Sequence, residues 1–215
     1  MTIVSLDGNI GSGKSTIIEA LKALNIENFI FVPEPTEEWE SITDMDGNTM
    51  LQLFYSDPNT HSFAFQMMAY ISRLVSLQKH ILENPNAIII TERSLDTDKH
   101  VFAKMLHADN NIHDAHLAIY NKWFEHFTKE INIDAVIYVD VDPVICLERI
   151  KKRSRKGECN IQTNYLERCN TYYGTMIEKY PNDKKMIING NIDYDDEGII
   201  LKNRLESIID FCKQI

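Results

Sequence analysis

The sequence lacks long apolar runs, and this shortage excludes several classes of protein. No stretch of about eighteen apolar residues occurs in the 215-residue chain, so no membrane-spanning helix and no membrane partner are expected. The first apolar stretch, residues 3–6, is too short for a signal peptide and has no basic lead. An Arg-rich, acid-poor transit peptide is also absent. These absences predict a cytoplasmic protein, either cellular or encoded by a virus.

Cysteine and positive charge are also scarce. The four cysteines, Cys146, Cys159, Cys169 and Cys212, form no C-x-x-C pair and match no zinc-binding spacing. They are interpreted as reduced structural thiols. The formal net charge is −10, and a general nucleic-acid binder is usually basic, so no nucleic-acid partner is expected. A small anionic ligand held by a few concentrated cations remains compatible with this charge.

Five short apolar runs predict strands at residues 2–6, 29–32, 87–91, 135–139 and 185–188. Two of them, at 87–91 and 135–139, show no alternation, which is typical of parallel strands covered on both faces. Helical patterns lie between and after the strands, at 14–24, 62–82, 96–107, 113–129, 143–152, 162–180 and 196–213. The chain is therefore predicted to be one α/β domain, residues 1–215, whose five-stranded parallel sheet carries helices on both faces.

A phosphate-binding loop follows the first predicted strand. Residues 8–15 match G-x-x-x-x-G-K-[ST] and open a predicted helix, which is the context that this motif requires. Backbone N–H groups of such a loop and the helix N-terminus hold phosphates. Lys14 is expected to reach the β- and γ-phosphates of ATP, and Ser15 to bind Mg²⁺. The predicted nucleotide-binding residues here are Gly8, Asn9, Ile10, Gly11, Ser12, Gly13, Lys14, Ser15 and Thr16.

Acidic and basic residues follow the second and third predicted strands. Glu34 lies between two prolines at the carboxyl end of a strand, where α/β sheets place ligand groups, and could accept a proton from an attacking hydroxyl. A solvated loop glutamate is the alternative. Glu92 could hold Mg²⁺ through water, and Arg93 could neutralise charge on the transferring group. A role in a structural ion pair is the alternative, and position alone does not exclude it.

A basic run follows the fourth predicted strand. Arg149, Lys151, Lys152, Arg153, Arg155 and Lys156 lie within eight positions of an otherwise acidic chain. Such a run is often a solvated face. At the end of this helix, arginines could instead close over ATP phosphates as a lid, at about residues 149–160, and exclude water.

Taken together, these segments resemble the deoxynucleoside kinase family, of the deoxycytidine and deoxyguanosine kinase type. The resemblance runs from residue 2 to about residue 195. It rests on the order and spacing of several short motifs: Gly-Asn-Ile-Gly-Ser-Gly-Lys-Ser-Thr at 8–16, Pro-Glu-Pro at 33–35 with Trp39, Phe-Ala-Phe-Gln at 63–66, Ser-Arg at 72–73, Glu-Arg-Ser at 92–94, Cys-Leu-Glu-Arg-Ile at 146–150 and Asn-Tyr-Leu at 164–166.

The resemblance implies roles for individual residues. Glu34 would be the general base for the 5′-hydroxyl, Arg93 would contact that hydroxyl and the phosphates, and Glu92 would serve Mg²⁺. Gln66 would hydrogen-bond the base edge. The other implied contacts are Tyr55 and Glu158 with the sugar 3′-hydroxyl, Phe102, Trp39 and Phe65 with the base, Arg149, Arg153 and Arg155 in the lid, and Asp193 and Tyr194 with the adenine of ATP. The family is usually dimeric through long helices, here predicted at 62–82 and 113–129.

The resemblance also indicates which base is accepted. Ala69, Arg73 and Asp98 match the branch that accepts deoxycytidine and purine deoxynucleosides. A carboxylate at Asp98 accepts from an exocyclic amino group but repels a thymine carbonyl oxygen, and Arg73 would keep it ionised. Asp96 and Lys99 depart from the family pattern, with tyrosine and arginine being usual there. The sequence thus predicts an ATP-dependent deoxynucleoside kinase of nucleotide salvage that disfavours thymidine.

Two other functions are compatible with a phosphate loop. A nucleoside monophosphate kinase, such as a thymidylate kinase, would need cations for the acceptor phosphate, whereas Glu34, Gln66, Tyr55 and Glu158 suit a neutral sugar. A non-catalytic nucleotide-binding subunit would be expected to lack Glu34, Arg93 or the lid, and all are present.

Overall fold

Five parallel strands form one sheet in the computed structural model, which describes residues 1–155, 157–192 and 198–215. The strands are β1 (Thr2–Gly8), β2 (Phe29–Val32), β3 (Ile88–Glu92), β4 (Ala135–Asp140) and β5 (Lys185–Asn189). Their order is β2-β3-β1-β4-β5, and each neighbouring pair is parallel. All five predicted strands are confirmed, with ends that differ by at most two residues.

Both faces of the sheet are covered by helices, as the unalternating runs predicted. Ile3 packs on one face and Val4 on the other, and both are at most 2% exposed. Ile137 and Tyr138 of β4 likewise belong to clusters on opposite faces. Burial of successive apolar side chains on both faces supplies the main driving force for this layered α/β arrangement.

The helices follow the strands in chain order. They are α1 (Lys14–Ala23), α2 (Thr36–Ser41), α3 (Met50–Ser56), α4 (Pro58–Glu83), α5 (Leu95–Thr97), α6 (Lys104–Ala108), α7 (Asp114–Phe127), α8 (Pro143–Arg153), α9 (Thr163–Ile177) and α10 (Ile199–Gln214). A π-helix, Asp98–Ala103, joins α5 to α6, and two 3₁₀ turns cover Glu158–Asn160 and Asn182–Lys184. None of the helices in the described ranges is long and apolar enough to cross a membrane.

Three helical features differ from the sequence prediction. Helix α4 begins at Pro58, earlier than predicted, because the Asp57 side chain accepts from Thr60 N and proline fits the first turn. Helices α2 and α3 were not predicted, although Thr49 and Gln52 form a capping box that marks the start of α3. The predicted helix at 96–107 contains the π-helix instead of one regular helix. The predicted helix at 196–213 starts at residues outside the described ranges.

Buried thiols occupy the core, as expected from the sequence. Cys146, Cys169 and Cys212 are free and buried. Burial raises the pKa of the Cys146 thiol to about 11 and that of the Cys169 thiol to about 12. These thiols therefore stay protonated and behave as small apolar core residues.

The strand order places three chain segments side by side. Strand β3 lies between β2 and β1, so the turns after β2, β3 and β1 meet at the carboxyl edge of the sheet. These turns carry Glu34, Arg93 and the phosphate loop. Parallel α/β sheets position their functional groups at this edge.

Candidate active site

The phosphate loop connects β1 to α1 and packs against α8. Lys14 Nζ donates to the carbonyl oxygens of Gly8 at 3.0 Å and Asn9 at 2.8 Å. Gly11 has φ +79°, and a Cβ placed on it would lie 2.5 Å from the Cys146 carbonyl oxygen. Glycine is therefore required at position 11 both by the backbone conformation and by the close approach of α8.

The electrostatics of the loop are governed by Lys14, which is only 4% exposed. Burial lowers the pKa of the Lys14 ammonium to about 7, with the Arg93 charge adding to this and Glu92, Glu34 and Asp7 opposing it. A triphosphate placed in the loop would favour the charged form of Lys14. The charge on Lys14 would therefore depend on whether a triphosphate occupies the loop.

The side chain of Asn9 is directed away from the loop interior. Its Nδ2 donates to Leu166 O at 2.8 Å and to Asn170 Oδ1 at 2.6 Å, both on α9, and its Oδ1 accepts from Ile10 N. These contacts use both amide hydrogens of Asn9. Any contact of Asn9 with a nucleotide would therefore have to be made by its backbone groups.

Oxygen ligands suited to Mg²⁺ are brought together at the start of α1. Ser15 Oγ donates to Glu92 Oε1 at 2.8 Å, which joins the loop to the end of β3. A hydroxyl and a carboxylate are hard oxygen donors that suit the small, strongly hydrated Mg²⁺ ion. Both predicted metal residues therefore fit the ion, which would neutralise charge on the phosphates of a bound nucleotide.

Glu34 is held by two arginines at the carboxyl edge of the sheet. Its Oε1 accepts from Arg93 Nη1 at 2.6 Å and from Arg73 Nη2 at 3.1 Å. Arg73 also donates through Nε to Asp98 Oδ2 at 2.9 Å and through Nη1 to Glu92 O at 2.7 Å. We call Glu34, Arg73, Arg93 and Asp98 the acid–arginine cluster. It joins residues from the turns after β2 and β3, from α4 and from the π-helix. These contacts exclude the interpretation of Glu34 as a solvated loop residue.

The charges in this cluster control its protonation. Burial disfavours ionisation of Glu34, but the neighbouring Arg93 and Arg73 guanidinium groups bring its pKa down to about 2. Burial raises the pKa of Asp98 above its ordinary value, although the Arg73 charge opposes that rise. Glu34 is thus ionised over the physiological range and available as a hydrogen-bond acceptor.

One cavity of about 480 Å³ connects the phosphate loop to the acid–arginine cluster. The predicted residues that line it are Ile10, Gly11, Gly13, Lys14, Ser15, Thr16, Glu34, Trp39, Tyr55, Phe65, Gln66, Ala69, Arg73, Glu92, Arg93, Asp98, Phe102, Arg149, Arg153, Arg155 and Glu158. Gly8, Asn9 and Ser12 belong to the loop but do not line the cavity. Asp193 and Tyr194 lie outside the described residues.

An aromatic pocket forms part of this cavity. Trp39 Nε1 donates to Ser72 Oγ at 2.8 Å, and its ring packs edge-on against Phe65 with centroids 5.8 Å apart. Phe54 stacks on Phe65 at 4.6 Å. Gln66 is 2% exposed, and its Oε1 has no hydrogen-bond partner among the described residues. A buried amide oxygen without a partner is costly, so it points to a ligand that donates.

The two departures from the family pattern have structural partners outside this pocket. Asp96 Oδ2 accepts from the Tyr180 hydroxyl at 2.7 Å. Lys99 Nζ lies 3.4 Å from Glu125 Oε1 and 4.7 Å from the centroid of the Phe124 ring. Neither side chain lines the cavity.

The basic segment at the end of α8 lines the cavity and is bound to Glu158. Arg153 Nη2 lies 2.5 Å from Glu158 Oε2, and Arg155 Nη1 lies 3.6 Å from Oε1. Gly157 has φ +91°, and a Cβ on it would lie 3.3 Å from Gln52 Cα of α3. Gly157 of this segment is therefore packed on the helix that carries Tyr55. Burial, with the Glu158 charge adding, raises the pKa of the Tyr55 phenol, which stays protonated and able to donate.

Sequence reasoning missed several residues of the site. Glu19, Leu51, Phe54 and Tyr165 also line the cavity. Tyr173, on α9, accepts a hydrogen bond from Arg93 Nε through its hydroxyl at 3.2 Å. The capping box at Thr49 could have revealed α3, and hence Leu51 and Phe54. No local sequence signal links Tyr173 to Arg93, which lies 80 residues earlier.

The phosphate loop, the Ser15–Glu92 pair and an acid held beside them on this sheet define a P-loop kinase. The family model described as "Deoxynucleoside kinase" matches residues 4–213. The chain therefore belongs to the deoxynucleoside kinase family.

Individual relatives agree with this family. "Deoxycytidine kinase 2" of Gallus gallus is 30% identical over 239 aligned residues, covering 97% of this chain and 89% of that protein. The mitochondrial deoxyguanosine kinase of Xenopus laevis is 27% identical, with coverage of 96% and 89%. The "Probable deoxycytidine kinase" of fowlpox virus (strain NVSL) is 31% identical, with coverage of 99% and 88%.

Proposed function

We propose that this protein transfers the γ-phosphate of ATP, or of another nucleoside triphosphate, to the 5′-hydroxyl of a deoxynucleoside for nucleotide salvage. The observation that carries the proposal is the shared cavity, which is lined both by the phosphate loop and by Glu34 and Gln66. A donor site and a pocket for a neutral, hydrogen-bonding acceptor thus open into one space. The names of the relatives support the same reaction.

Glu34 would act on the acceptor hydroxyl. Its carboxylate is ionised and would accept a hydrogen bond from the 5′-hydroxyl, which orients the oxygen for attack. A pKa of about 2 makes Glu34 a weak base in the resting site. This is compatible with a loose transition state, in which little proton transfer is needed before the phosphoryl group has left its donor. Arg93, Lys14 and the lid arginines would stabilise the transferring group, and Mg²⁺ held near Ser15 and Glu92 would neutralise phosphate charge.

A neutral acceptor is favoured over a nucleoside monophosphate by the pairing of the cations. On the acceptor side, Arg73 is bound to Glu34 and Asp98, and Arg93 is bound to Glu34. A monophosphate acceptor would have to compete with these carboxylates for the guanidinium groups. A neutral sugar hydroxyl would bind Glu158 and Tyr55 without breaking these ion pairs.

The base preference follows from the buried polar groups of the pocket. Asp98, fixed by Arg73, accepts hydrogen bonds, whereas Gln66 both donates and accepts. We propose that deoxycytidine and the purine deoxynucleosides are preferred over thymidine, because a thymine carbonyl oxygen facing Asp98 would be repelled.

The proposed activity is tested with four deoxynucleosides, ATP and Mg²⁺, measuring kcat/KM for each and for deoxycytidine monophosphate. Deoxycytidine or a purine deoxynucleoside should give the highest value. Thymidine ranking first would contradict the base preference, and faster turnover of the monophosphate would contradict the acceptor class. ATP binding without transfer to any acceptor would favour a non-catalytic role.

A homodimer is proposed through α4 and α7. These two helices expose large apolar side chains: Ile71, Val75, Leu82, Ile119, Trp123 and Phe127, each 42% exposed or more. Tyr70 OH donates to Trp123 O at 3.1 Å, so the two helices lie side by side. A second copy would cover this apolar surface. Sedimentation equilibrium of the parent and of Trp123→Glu should give a dimer and a monomer, respectively.

A further inference from the structure

Asp7 is a second buried carboxylate close to the acid–arginine cluster, and the reaction proposed above does not use it. It is the residue before the phosphate loop and is fully buried. The Ser5 hydroxyl donates to its Oδ2 and the Thr97 hydroxyl to its Oδ1, while Ser94 Oγ lies 3.5 Å from Oδ2. We call Ser5, Asp7, Ser94 and Thr97 the hydroxyl network. A carboxylate removed from water is costly even when hydrogen-bonded, so stability alone does not explain it.

Arg93 stands next to this network with a strained backbone. Its φ of 60° lies in the left-handed region, which non-glycine residues adopt only when their surroundings impose it. Two hydrogen bonds hold the strand side of the turn: Arg93 N donates to Leu6 O, and Thr91 Oγ1 donates to Arg93 O, both at 3.0 Å. From this turn the Arg93 guanidinium donates to Glu34 Oε1.

The hydroxyl network holds the other side of the same turn. Ser94 directly follows Arg93, and its Oγ accepts from Thr97 N at 3.1 Å and lies 3.1 Å from Thr97 Oγ1. Through Ser94 and Thr97, Asp7 therefore binds the first turn of the helical segment after β3. Asp98, which binds Arg73, is the next residue after Thr97.

We propose that Asp7 is a positioning residue that holds the turn at residues 93–97, so that Arg93 reaches Glu34 and the transferring phosphoryl group. The proposal rests on the proposed kinase function for its kinetic consequence. Because Asp7 also directly precedes Gly8, one side chain fixes the phosphate loop relative to the arginine that must act on the bound phosphate. Asp7 itself touches neither the cavity nor a substrate.

A matched pair of substitutions at Thr97 isolates the hydroxyl from the packing. Thr97→Val keeps the shape and removes the donor to Asp7, whereas Thr97→Ser keeps the donor and removes a methyl group. We expect kcat of Thr97→Val to fall about 10–100-fold, as for a misplaced reacting group, with KM for both substrates changed less than about threefold. Thr97→Ser should keep kcat within about threefold of the parent, since the hydroxyl bond is retained.

Asp7→Asn is the second variant. Its amide presents two hydrogens on one side, so the hydroxyl there must accept where it now donates, and its present hydrogen bond to position 7 is lost. A fall in kcat with nearly unchanged KM is expected again. Parent-like kcat in folded Asp7→Asn or Thr97→Val would overturn the proposal. Equal losses of kcat in Thr97→Ser and Thr97→Val would also overturn it, and so would a change confined to KM. If Asp7→Asn does not fold, the Thr97 pair decides.

A crystal structure of Thr97→Val separates this proposal from the proposed function. Arg93 should leave the left-handed region or move away from Glu34. An unchanged Arg93 backbone and Arg93–Glu34 contact would overturn the positioning role even if the parent phosphorylated no deoxynucleoside. Absence of activity in the parent, with Arg93 displaced in the variant, would instead reject only the kinase proposal.

Discussion

The phosphate loop and the acid–arginine cluster face the same cavity but are assembled differently. Lys14 is held by carbonyl groups five and six residues away, whereas Arg73 and Arg93 reach Glu34 from 39 and 59 residues further along the chain. The Lys14 contacts of the donor half are thus local to β1 and α1, although Asn9 also binds α9 and Gly11 packs on α8. The acceptor half exists only because the sheet order brings β2 and β3 together, so the two halves should respond separately to substitution.

The largest effect that would sharpen this comparison is expected from Glu34→Gln. The amide cannot take the proton of the 5′-hydroxyl, so kcat should fall about 100–1,000-fold, in the range of a lost general base. The affinity for ATP should stay near that of the parent, because the phosphate loop is intact. Steady-state kinetics and nucleotide titration measure the two effects.

Glu37→Gln provides the matched control for Glu34→Gln. Glu37 is exposed on α2, three residues further on, and has no place in the cavity. It should behave like the parent in both measurements. Near-parental turnover of Glu34→Gln would remove Glu34 as the proposed base, and a matching loss of ATP affinity would show that the two halves are not separable.

A smaller effect, on acceptor choice alone, is expected from Asp98→Asn. The amide oxygen can still accept from Arg73, which leaves the amide N–H₂ group facing the base. The ratio of kcat/KM for deoxycytidine to that for thymidine should fall about tenfold or more, as when a buried hydrogen-bond pattern is reversed.

Asp96→Asn is the control for Asp98→Asn, since Asp96 binds Tyr180 and does not line the cavity. Its selectivity ratio should match that of the parent. An unchanged ratio in Asp98→Asn would mean that Asp98 does not face the base. A changed KM for ATP would break the separation of the two halves.

The smallest effect concerns pH and the donor half. Lys14 has a pKa of about 7 in the resting loop, and bound triphosphate would raise it. The contribution of the ammonium to affinity is therefore full below pH 7 and is lost as pH rises toward the pKa of the complex. ATP affinity should fall about fivefold between pH 7 and 8.

Calorimetry in buffers of different ionisation enthalpy tests this pH effect. Binding of ATP at pH 8 should take up a fraction of a proton in the parent and none from this site in Lys14→Arg, whose guanidinium stays charged. Deoxynucleoside affinity should not follow the same pH dependence. Absence of proton uptake in the parent would show that Lys14 is already charged in the resting loop.

The fold and the phosphate loop could be predicted from the sequence because short, continuous segments determine the strands and the loop motif. Short apolar runs identified the five strands, and the phosphate loop was contained in residues 8–16. The acceptor half needed information that no short segment holds. The position of Glu34 after a strand left two interpretations open. The resemblance to a family supplied its role, together with Gln66 and Asp98, but it left out Phe54 of the unpredicted helix α3.

Long-range hydrogen bonds account for the remaining omissions. Tyr173 binds Arg93 across 80 residues, and Thr97 binds Asp7 across 90. The side chain of Asn9 binds α9, which leaves its backbone for the nucleotide contact that the loop motif predicts. A pattern identifies residue types at fixed spacing, whereas only the folded chain determines where each side chain is used.

Glu158 lies where the donor and acceptor halves of the site meet. This carboxylate binds Arg153 and Arg155 and lines the cavity, and the adjacent Gly157 packs on α3. A nucleoside that rests on Glu158 would therefore favour the same closed lid that a triphosphate favours through the arginines. Such heterotropic coupling is reciprocal: whatever factor the nucleoside contributes to nucleotide affinity, the nucleotide must contribute to nucleoside affinity. Glu158→Gln would reduce that factor equally in a titration of nucleotide at saturating nucleoside and in a titration of nucleoside at saturating nucleotide.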